Sequence, residues 1–261
     1  MTAEGVSAEW ATGWSVLHYE HHVTTSFGDR GVMMPWASVS KLVVALLVGR
    51  DVAAGIYALT EPLGPEGSTV AHLLSHASGL GPDRSALRSG VGRKRIYSTF
   101  GYDIVVEFLG GVPIILERAR RELNLTSVIS DGTSAGGLMG TLEDLEEVAM
   151  RWLGRDDVIG DTLPTMTRAF LPDLEGVVPG FGRFAPCPWG LGPQIRGASL
   201  HWMGEGWPVT SFGHFGQSGS LLLVDPERRT AIVAVSDRGF GSWAVTTWPQ
   251  WTARCHDELM S

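Results

Sequence analysis

Residues 38–48 read Ser-Val-Ser-Lys-Leu-Val-Val-Ala-Leu-Leu-Val, and no other stretch of the 261-residue chain says as much about its architecture. From Leu42 onward apolar residues occupy almost every position, which predicts a buried helix ending near Gly55. Ser38 and Lys41 are three residues apart and therefore share a helix face, so the amine can reach the hydroxyl. This arrangement suits an activated nucleophile.

Serine is a poor nucleophile at neutral pH and needs a base. Lysine can serve only if burial lowers its pKa from about 10.4, and the apolar residues after Lys41 could supply that burial. Backbone N–H groups at the helix start point toward Ser38, where one can donate to the oxyanion of a tetrahedral intermediate. Taken alone, the Ser-x-x-Lys spacing is weak evidence.

Strand-forming patterns lie at both ends of the chain, with helical patterns between them. The predicted strands are a two-stranded hairpin over 14–28 and an antiparallel meander over 209–215, 220–224 and 230–236. The predicted helical stretches are 69–76, 102–121 and 141–154, the last opening with a capping box at Thr141.

This order predicts an α/β (α+β) fold in which helices flank an antiparallel sheet built from both termini. Residues 1–60 and 186–261 are expected to form an α/β lobe within a single domain, 1–261. Residues 61–185 form an inserted, mainly helical lobe. The cleft between the lobes is the expected site.

Two further motifs follow the Ser-x-x-Lys pair. Tyr97-Ser98-Thr99 lies in the middle of the chain, and His214-Phe215-Gly216 lies on the C-terminal meander. Together the three motifs resemble those of the serine β-lactamase and penicillin-binding protein superfamily, in the version shared by class C β-lactamases, D-alanyl-D-alanine peptidases and β-lactamase-fold esterases. Three further stretches carry the resemblance: 70–80, 134–145 and 189–192.

The resemblance implies a β-lactamase-like fold and a role for each motif. Ser38 is the implied nucleophile, Lys41 and Tyr97 handle protons, and the N–H groups of Ser38 and Gln217 form the oxyanion hole. The implied substrate-binding positions are held by His214, Gly216, Thr99 and Phe215. Whether lysine or tyrosine takes the proton stays open, because a nearby ammonium could also lower the pKa of the phenol from about 10.

Two positions depart from the family pattern. Thr99 stands where the family usually has an asparagine that holds the substrate's amide. Phe215 replaces a hydroxyl residue that helps to hold a substrate carboxylate, and the residue directly before it is not a lysine. A β-lactam or peptide carboxylate would therefore lose a partner, a loss of about 1–3 kcal/mol if the group is buried.

We therefore expect a serine hydrolase that acts on a small ester or amide through a Ser38 acyl-enzyme, with an esterase favoured. The alternatives are a β-lactamase or D-Ala-D-Ala carboxypeptidase, an acyltransferase using the same intermediate, and a non-catalytic binding or sensor module with the same fold. No metal or organic cofactor is expected. The sequence does not indicate an oligomeric state.

Composition argues against several partners. A net charge of −8 gives no basic footprint for nucleic acid. The longest apolar run, 42–48, is far short of the roughly 20 residues of a membrane span. Residues 1–5 show no basic or apolar leader, so we expect a cytoplasmic protein.

The remaining reactive side chains suggest no second centre. Cys187 and Cys255 are expected to be unpaired thiols, and the arginines to be surface charges. His72 and His76 lie four apart on a predicted helix without an evident third ligand, so a structural role is expected. No metal spacing is evident among the other histidines of the first hundred residues: His18, His21 and His22.

Overall fold

A computed structural model describes Val6 and residues 8–83, 87–133 and 135–259. The strands are β1 (Gly13–His18), β2 (His22–Gly28), β3 (Met34–Pro35), β4 (Ile129–Ser130), β5 (Leu138–Gly140), β6 (Gly176–Val178), β7 (Gly182–Phe184), β8 (Gln194–Ile195), β9 (Phe212–Phe215), β10 (Leu221–Asp225) and β11 (Thr230–Val235). The helices are α1 (Ser40–Ala53), α2 (Val70–Leu74), α3 (Thr99–Phe108), α4 (Val112–Leu123), α5 (Leu142–Trp152), α6 (Leu163–Met166) and α7 (Ser242–Leu259). Residues 1–5, from which no leader was inferred, and Ser134 of the family-like stretch lie outside the described residues.

Both ends of the chain contribute to one six-stranded antiparallel sheet, in the order β2-β1-β11-β10-β9-β8. The ends meet where β1 pairs with β11, from Gly13 opposite Val235 to His18 opposite Thr230. The predicted mixed fold, with its antiparallel sheet built from both termini, is confirmed.

The two faces of this sheet enter separate hydrophobic clusters, because successive side chains on a strand point to opposite sides. On β10, Leu222 and Val224 join the cluster that contains α1 and α5. Leu221 and Leu223 join the other cluster, which packs under α7. The sequence prediction missed α7, a helix with Pro249 in its interior.

Helix α1 is buried over almost its whole length, as its apolar sequence predicts. A turn of 3₁₀ helix, Ala37–Val39, precedes it and carries Ser38. The helix predicted over 102–121 is two helices, α3 and α4, because Gly110 and Gly111 both have positive φ. The capping box at the start of α5 is confirmed: Thr141 Oγ1 accepts the Asp144 N–H at 3.1 Å.

Two small sheets complete the fold, β3-β5-β4 and β6-β7. The division into two lobes stays a prediction, and α5, from the predicted helical lobe, packs against β1 and β11. Within the described ranges no single helix is long and apolar enough to cross a membrane. Helices α3 and α4 meet that test only as a pair, bent by 75°.

Candidate active site

Ser38 lies on a tight turn whose backbone is fixed on both sides. Ala37 has a φ of +47°, an uncommon conformation for a residue with a side chain. A Cβ on Gly216 would lie 2.3 Å from the carbonyl oxygen of Trp36, so the end of β9 can approach this turn only because residue 216 is glycine. The C-terminal motif is thereby held against the serine.

Lys41 is the buried amine beside Ser38. Its side chain is fully buried, and Nζ lies 3.1 Å from Ser38 Oγ. Burial lowers the pKa of Lys41 from 10.5 to about 7, while the Asp103 carboxylate opposes this shift. A pKa near neutrality allows the amine to lose its proton at neutral pH, and a neutral amine can accept the serine proton.

Tyr97 lies beside the same pair. Its ring centroid is 5.3 Å from Lys41 Nζ, and its hydroxyl oxygen is buried without a hydrogen bond to any described residue. Burial raises the pKa of Tyr97 above its ordinary value of 10, and the nearby Ser38 hydroxyl lowers it in part. A phenol with a raised pKa keeps its proton at neutral pH and can act as a donor.

The segment that carries Tyr97 is anchored by Ser98. The Ser98 N–H donates to His76 Nδ1 at 3.1 Å, and the Ser98 hydroxyl donates to the carbonyl of Gly81 at 2.6 Å. The same hydroxyl accepts the Gly101 N–H as the N-cap of α3. His76 was predicted to lie on a helix with His72, but α2 ends at Leu74 and His76 has a φ of +58°.

Arg95 contradicts the expectation that the arginines are surface charges. It is 2% exposed, and its guanidinium donates to four backbone carbonyls: Ser75, Phe170, Leu171 and Cys187. Burial lowers its pKa to about 10, so it stays charged at neutral pH. Arg95 therefore ties three distant segments to the chain two residues before Tyr97, which makes it a positioning residue.

A cavity of about 120 Å³ opens beside Ser38. Six of the eight predicted site residues line it, and Pro179, Trp189 and Gln194 complete its wall. The predicted residues that line it are Ser38, Tyr97, Thr99, His214, Phe215 and Gln217. Lys41 and Gly216, the other two, lie against Ser38 and the turn before it.

Two of these lining residues lie at the ends of secondary-structure elements. The Phe215 side chain, on the opposite face of β9 from His214, packs against Phe240 and Trp248 at 5.3 Å each, so its backbone edges the cavity. Thr99 is the first residue of α3. The binding roles of both residues, and the oxyanion hole formed by Ser38 and Gln217, stay predictions.

A group of potential metal ligands lies at the hairpin turn, where the sequence indicated no metal spacing. One ligand atom from each of His18, Glu20 and His21 lies within 4.8 Å of the others. However, His18 Nδ1 accepts the Glu20 N–H at 3.2 Å, and this bond favours the tautomer whose Nε2 carries hydrogen. The group shares no residue with the cavity beside Ser38.

Comparison with known proteins identifies the family of this chain. A β-lactamase family model matches residues 10–113. The crystal structure of a β-lactamase from Mycobacterium bovis is 34% identical over 97% of this chain and 98% of its own, with a TM-score of 0.90. The chain therefore belongs to the serine β-lactamase and penicillin-binding protein superfamily, whose members are typically serine hydrolases.

More distant structures share the fold. The octameric penicillin-binding protein homologue from Pyrococcus abyssi is 18% identical, over 94% of this chain and 73% of its own, with a TM-score of 0.66. SurE, in a structure with D-Leu, is 21% identical over 94% of this chain and 71% of its own, with a TM-score of 0.70. A search of curated proteins gives no significant match.

Proposed function

We propose that this protein is a serine esterase that hydrolyses a small ester through an acyl-enzyme on Ser38. One observation carries the proposal: a fully buried amine, Lys41 Nζ, lies 3.1 Å from the Ser38 hydroxyl, with its pKa lowered to about 7. A general base acts best when its pKa lies near the working pH, because it is then both free of its proton and basic enough to accept one.

The reaction follows from these positions. Ser38 Oγ attacks the ester carbonyl while its proton passes to the neutral amine of Lys41. The tetrahedral intermediate collapses, the alcohol leaves with a proton, and the acyl group remains on Ser38. The phenol of Tyr97, which keeps its proton, donates to the leaving oxygen and takes back a proton from the Lys41 ammonium. Water then attacks the acyl-serine as Lys41 accepts one of its protons, and Lys41 returns that proton to Ser38 Oγ as the acid leaves.

The walls of the site favour an uncharged ester over a substrate with a carboxylate. Of the described residues that line the 120 Å³ cavity, none is arginine or lysine. The Phe215 side chain offers no hydroxyl and lies on the other face of the sheet. A second cavity, of about 500 Å³, shares Tyr97 and Pro179 with the first. Its wall combines apolar residues, such as Ile96 and Val177, with four charged residues: Lys94, Arg95, Glu175 and Arg183. It offers room for a larger substituent.

The experiment is active-site labelling combined with ester turnover. The purified protein is treated with a fluorophosphonate probe and with short-chain p-nitrophenyl esters, beside a Ser38→Ala variant. We expect one phosphonyl adduct on Ser38, detected by peptide mass spectrometry, and turnover that is lost in the variant. Absence of both adduct and turnover favours the non-catalytic module, and turnover that survives in Ser38→Ala removes Ser38 from the mechanism.

A β-lactamase is the second candidate, because the 34% identical protein from Mycobacterium bovis bears that name. A chromogenic cephalosporin in the same assay separates the two. We expect cephalosporin hydrolysis to be slow beside ester hydrolysis, since the described residues lining the 120 Å³ cavity beside Ser38 supply no arginine or lysine for the carboxylate. Rapid, steady cephalosporin turnover that depends on Ser38 contradicts the preference for an esterase.

A further inference from the structure

The hydrogen bond that His214 makes defines which of its two ring nitrogens carries the hydrogen. Its Nδ1 lies 2.7 Å from the carbonyl oxygen of Phe215, and a carbonyl only accepts, so Nδ1 carries the hydrogen. In a neutral imidazole the other nitrogen, Nε2, is then a lone-pair acceptor. This Nε2 is buried and has no hydrogen-bond partner among the described residues.

The surroundings keep the ring neutral. His214 is 3% exposed, and its ring lies 5.8 Å from that of Tyr97 and 5.7 Å from that of Trp189, measured between centroids. Burial lowers the pKa of His214 to about 3, and the nearby Lys41 charge acts in the same direction. Across the pH range of a hydrolase assay, Nε2 therefore remains an acceptor.

The ring also lies on the site side of the sheet. His214 pairs with Leu222 on β10, and Leu222 belongs to the cluster that contains α1. Tyr97, Trp189 and Ser38 line the cavity together with His214. His214, which carries the unpartnered acceptor, thus lines the small chamber to which the proposed function assigns the scissile carbonyl.

We infer that His214 is a specificity-determining residue, which selects an uncharged substrate with a hydrogen-bond donor near the scissile carbonyl and rejects a carboxylate there. The inference rests on the proposed esterase function and names its substrate class. An amide N–H or a hydroxyl on the substrate would satisfy the buried Nε2. A carboxylate would place its oxygens against that lone pair and leave both acceptors unpaired, which is costly away from water.

The test uses three p-nitrophenyl esters of similar size. The N-acetylglycinate carries an N–H, the levulinate replaces that N–H with CH₂, and the hydrogen succinate carries a carboxylate. The rate of each ester without protein is subtracted, because the succinate carboxylate attacks its own ester. Each kcat/KM is then divided by the rate constant for hydroxide-catalysed hydrolysis of the same ester, which corrects for differences in carbonyl reactivity. For the wild-type protein we expect a corrected preference of about tenfold for the N-acetylglycinate over the levulinate, the size of one hydrogen bond to a buried acceptor. The hydrogen succinate should be the poorest of the three.

Two variants assign this preference to Nε2. His214→Phe keeps a ring but removes the acceptor, and we expect the preference to fall to about twofold or less. His214→Gln restores an acceptor oxygen and should recover part of the preference. Thermal unfolding of both variants shows that they are folded, and only ratios of kcat/KM within one variant are compared.

The outcomes separate this inference from the proposed function. Ser38-dependent turnover without a preference in the wild type overturns the inference alone. So does a preference that persists in His214→Phe, or a hydrogen succinate that is hydrolysed faster than the levulinate. Absence of any Ser38-dependent turnover contradicts the proposed function itself, and the inference with it.

Discussion

The two faces of the six-stranded sheet bury different kinds of side chain. Under α7, tryptophans pack on one another: the ring of Trp10 lies 5.2 Å from that of Trp251, which lies 6.0 Å from that of Trp14. Their indole N–H groups are buried and have no partner in the described part of the chain, but they are neutral and do not titrate near pH 7. The face toward α1 buries groups that do titrate, Lys41 and His214.

The face toward α1 is therefore the one on which buried groups lower the stability of the fold. A buried amine with a lowered pKa costs free energy, because the folded protein cannot keep the proton that the unfolded chain holds. The tryptophan face stabilises the sheet by burying apolar area, an effect that its unpartnered indole N–H groups offset in part. We therefore expect substitutions on the two faces to separate activity from stability.

The largest effect is expected for Lys41→Met, which removes the amine and keeps the shape of the side chain. We expect kcat/KM for p-nitrophenyl esters to fall about 10³-fold, since the base is lost. The same variant should be more stable at pH 6, by roughly 2–5 kcal/mol from urea unfolding.

The sign follows from the pKa of Lys41, lowered in the folded protein from 10.5 to about 7. Between these values the unfolded chain binds a proton that the folded protein does not, so wild-type stability rises with pH across this window. The gain in Lys41→Met should therefore shrink to about 1 kcal/mol at pH 10. Lys94→Met, at an exposed lysine, is the control and should change stability by less than about 0.5 kcal/mol. Equal gains at both pH values would contradict a pKa lowered by burial.

Trp251→Ala is the counterpart on the other face. Trp251 is fully buried between Trp10 and Trp14, so its loss leaves a cavity that should cost about 3–5 kcal/mol in the free energy of unfolding. The kcat/KM of the folded fraction should stay within about twofold. Urea unfolding and ester turnover at 15 °C measure both. Lost activity at unchanged stability would mean that this face takes part in the chemistry.

Tyr97→Phe removes only the phenol oxygen. We expect a loss of about 10²-fold in kcat with little change in KM, because a proton donor is removed from the site. Stability should hardly change, since this oxygen makes no hydrogen bond to a described residue. The matched control is Tyr102→Phe, whose hydroxyl donates to the Leu74 carbonyl at 2.9 Å. That variant should lose about 1 kcal/mol of stability. A larger effect of Tyr102→Phe on kcat would reverse the assigned roles.

The smallest effect is expected for Asp103→Asn. The Asp103 carboxylate raises the pKa of Lys41, so the neutral amide should let that pKa fall further. Below the pKa of the base, activity falls because the base is protonated. In Asp103→Asn this acid limb of the kcat/KM profile should move about half a unit toward lower pH. Glu107→Gln, at an exposed position on the same helix, is the control and should leave the limb in place. A shift toward higher pH would contradict the electrostatic role of Asp103.

Much of this site could be predicted because its chemistry lies in short local patterns. Ser38 and Lys41 are three residues apart on one turn, and the apolar residues that follow them predict the burial that lowers the pKa of the lysine. The sheet could likewise be predicted, since β10 and β11 are short apolar runs joined by a turn. At that turn, Asp225 Oδ1 accepts the Glu227 N–H at 2.9 Å.

The rest depends on contacts between distant segments. Nothing near Arg95 in sequence announces that its guanidinium will meet the carbonyls of residues 75, 170, 171 and 187. Gly110-Gly111 marks the break between α3 and α4 in the sequence, yet the predicted helix over 102–121 runs across it. The tautomer of His214 depends on the direction of one backbone carbonyl, which no residue pattern encodes.

Measuring the pKa of Lys41 is the most direct check on its proposed role as the base of Ser38. The measurement is feasible because the chain contains only two lysines, Lys41 and Lys94. Protein labelled with ¹³C at the lysine ε-carbon should give two signals, and Lys41→Met identifies the one from Lys41. We predict that this signal titrates with a midpoint near pH 7. A midpoint near the ordinary value of 10.5 would rule out Lys41 as the base, because the amine beside Ser38 would then be protonated at neutral pH and unable to accept the serine proton.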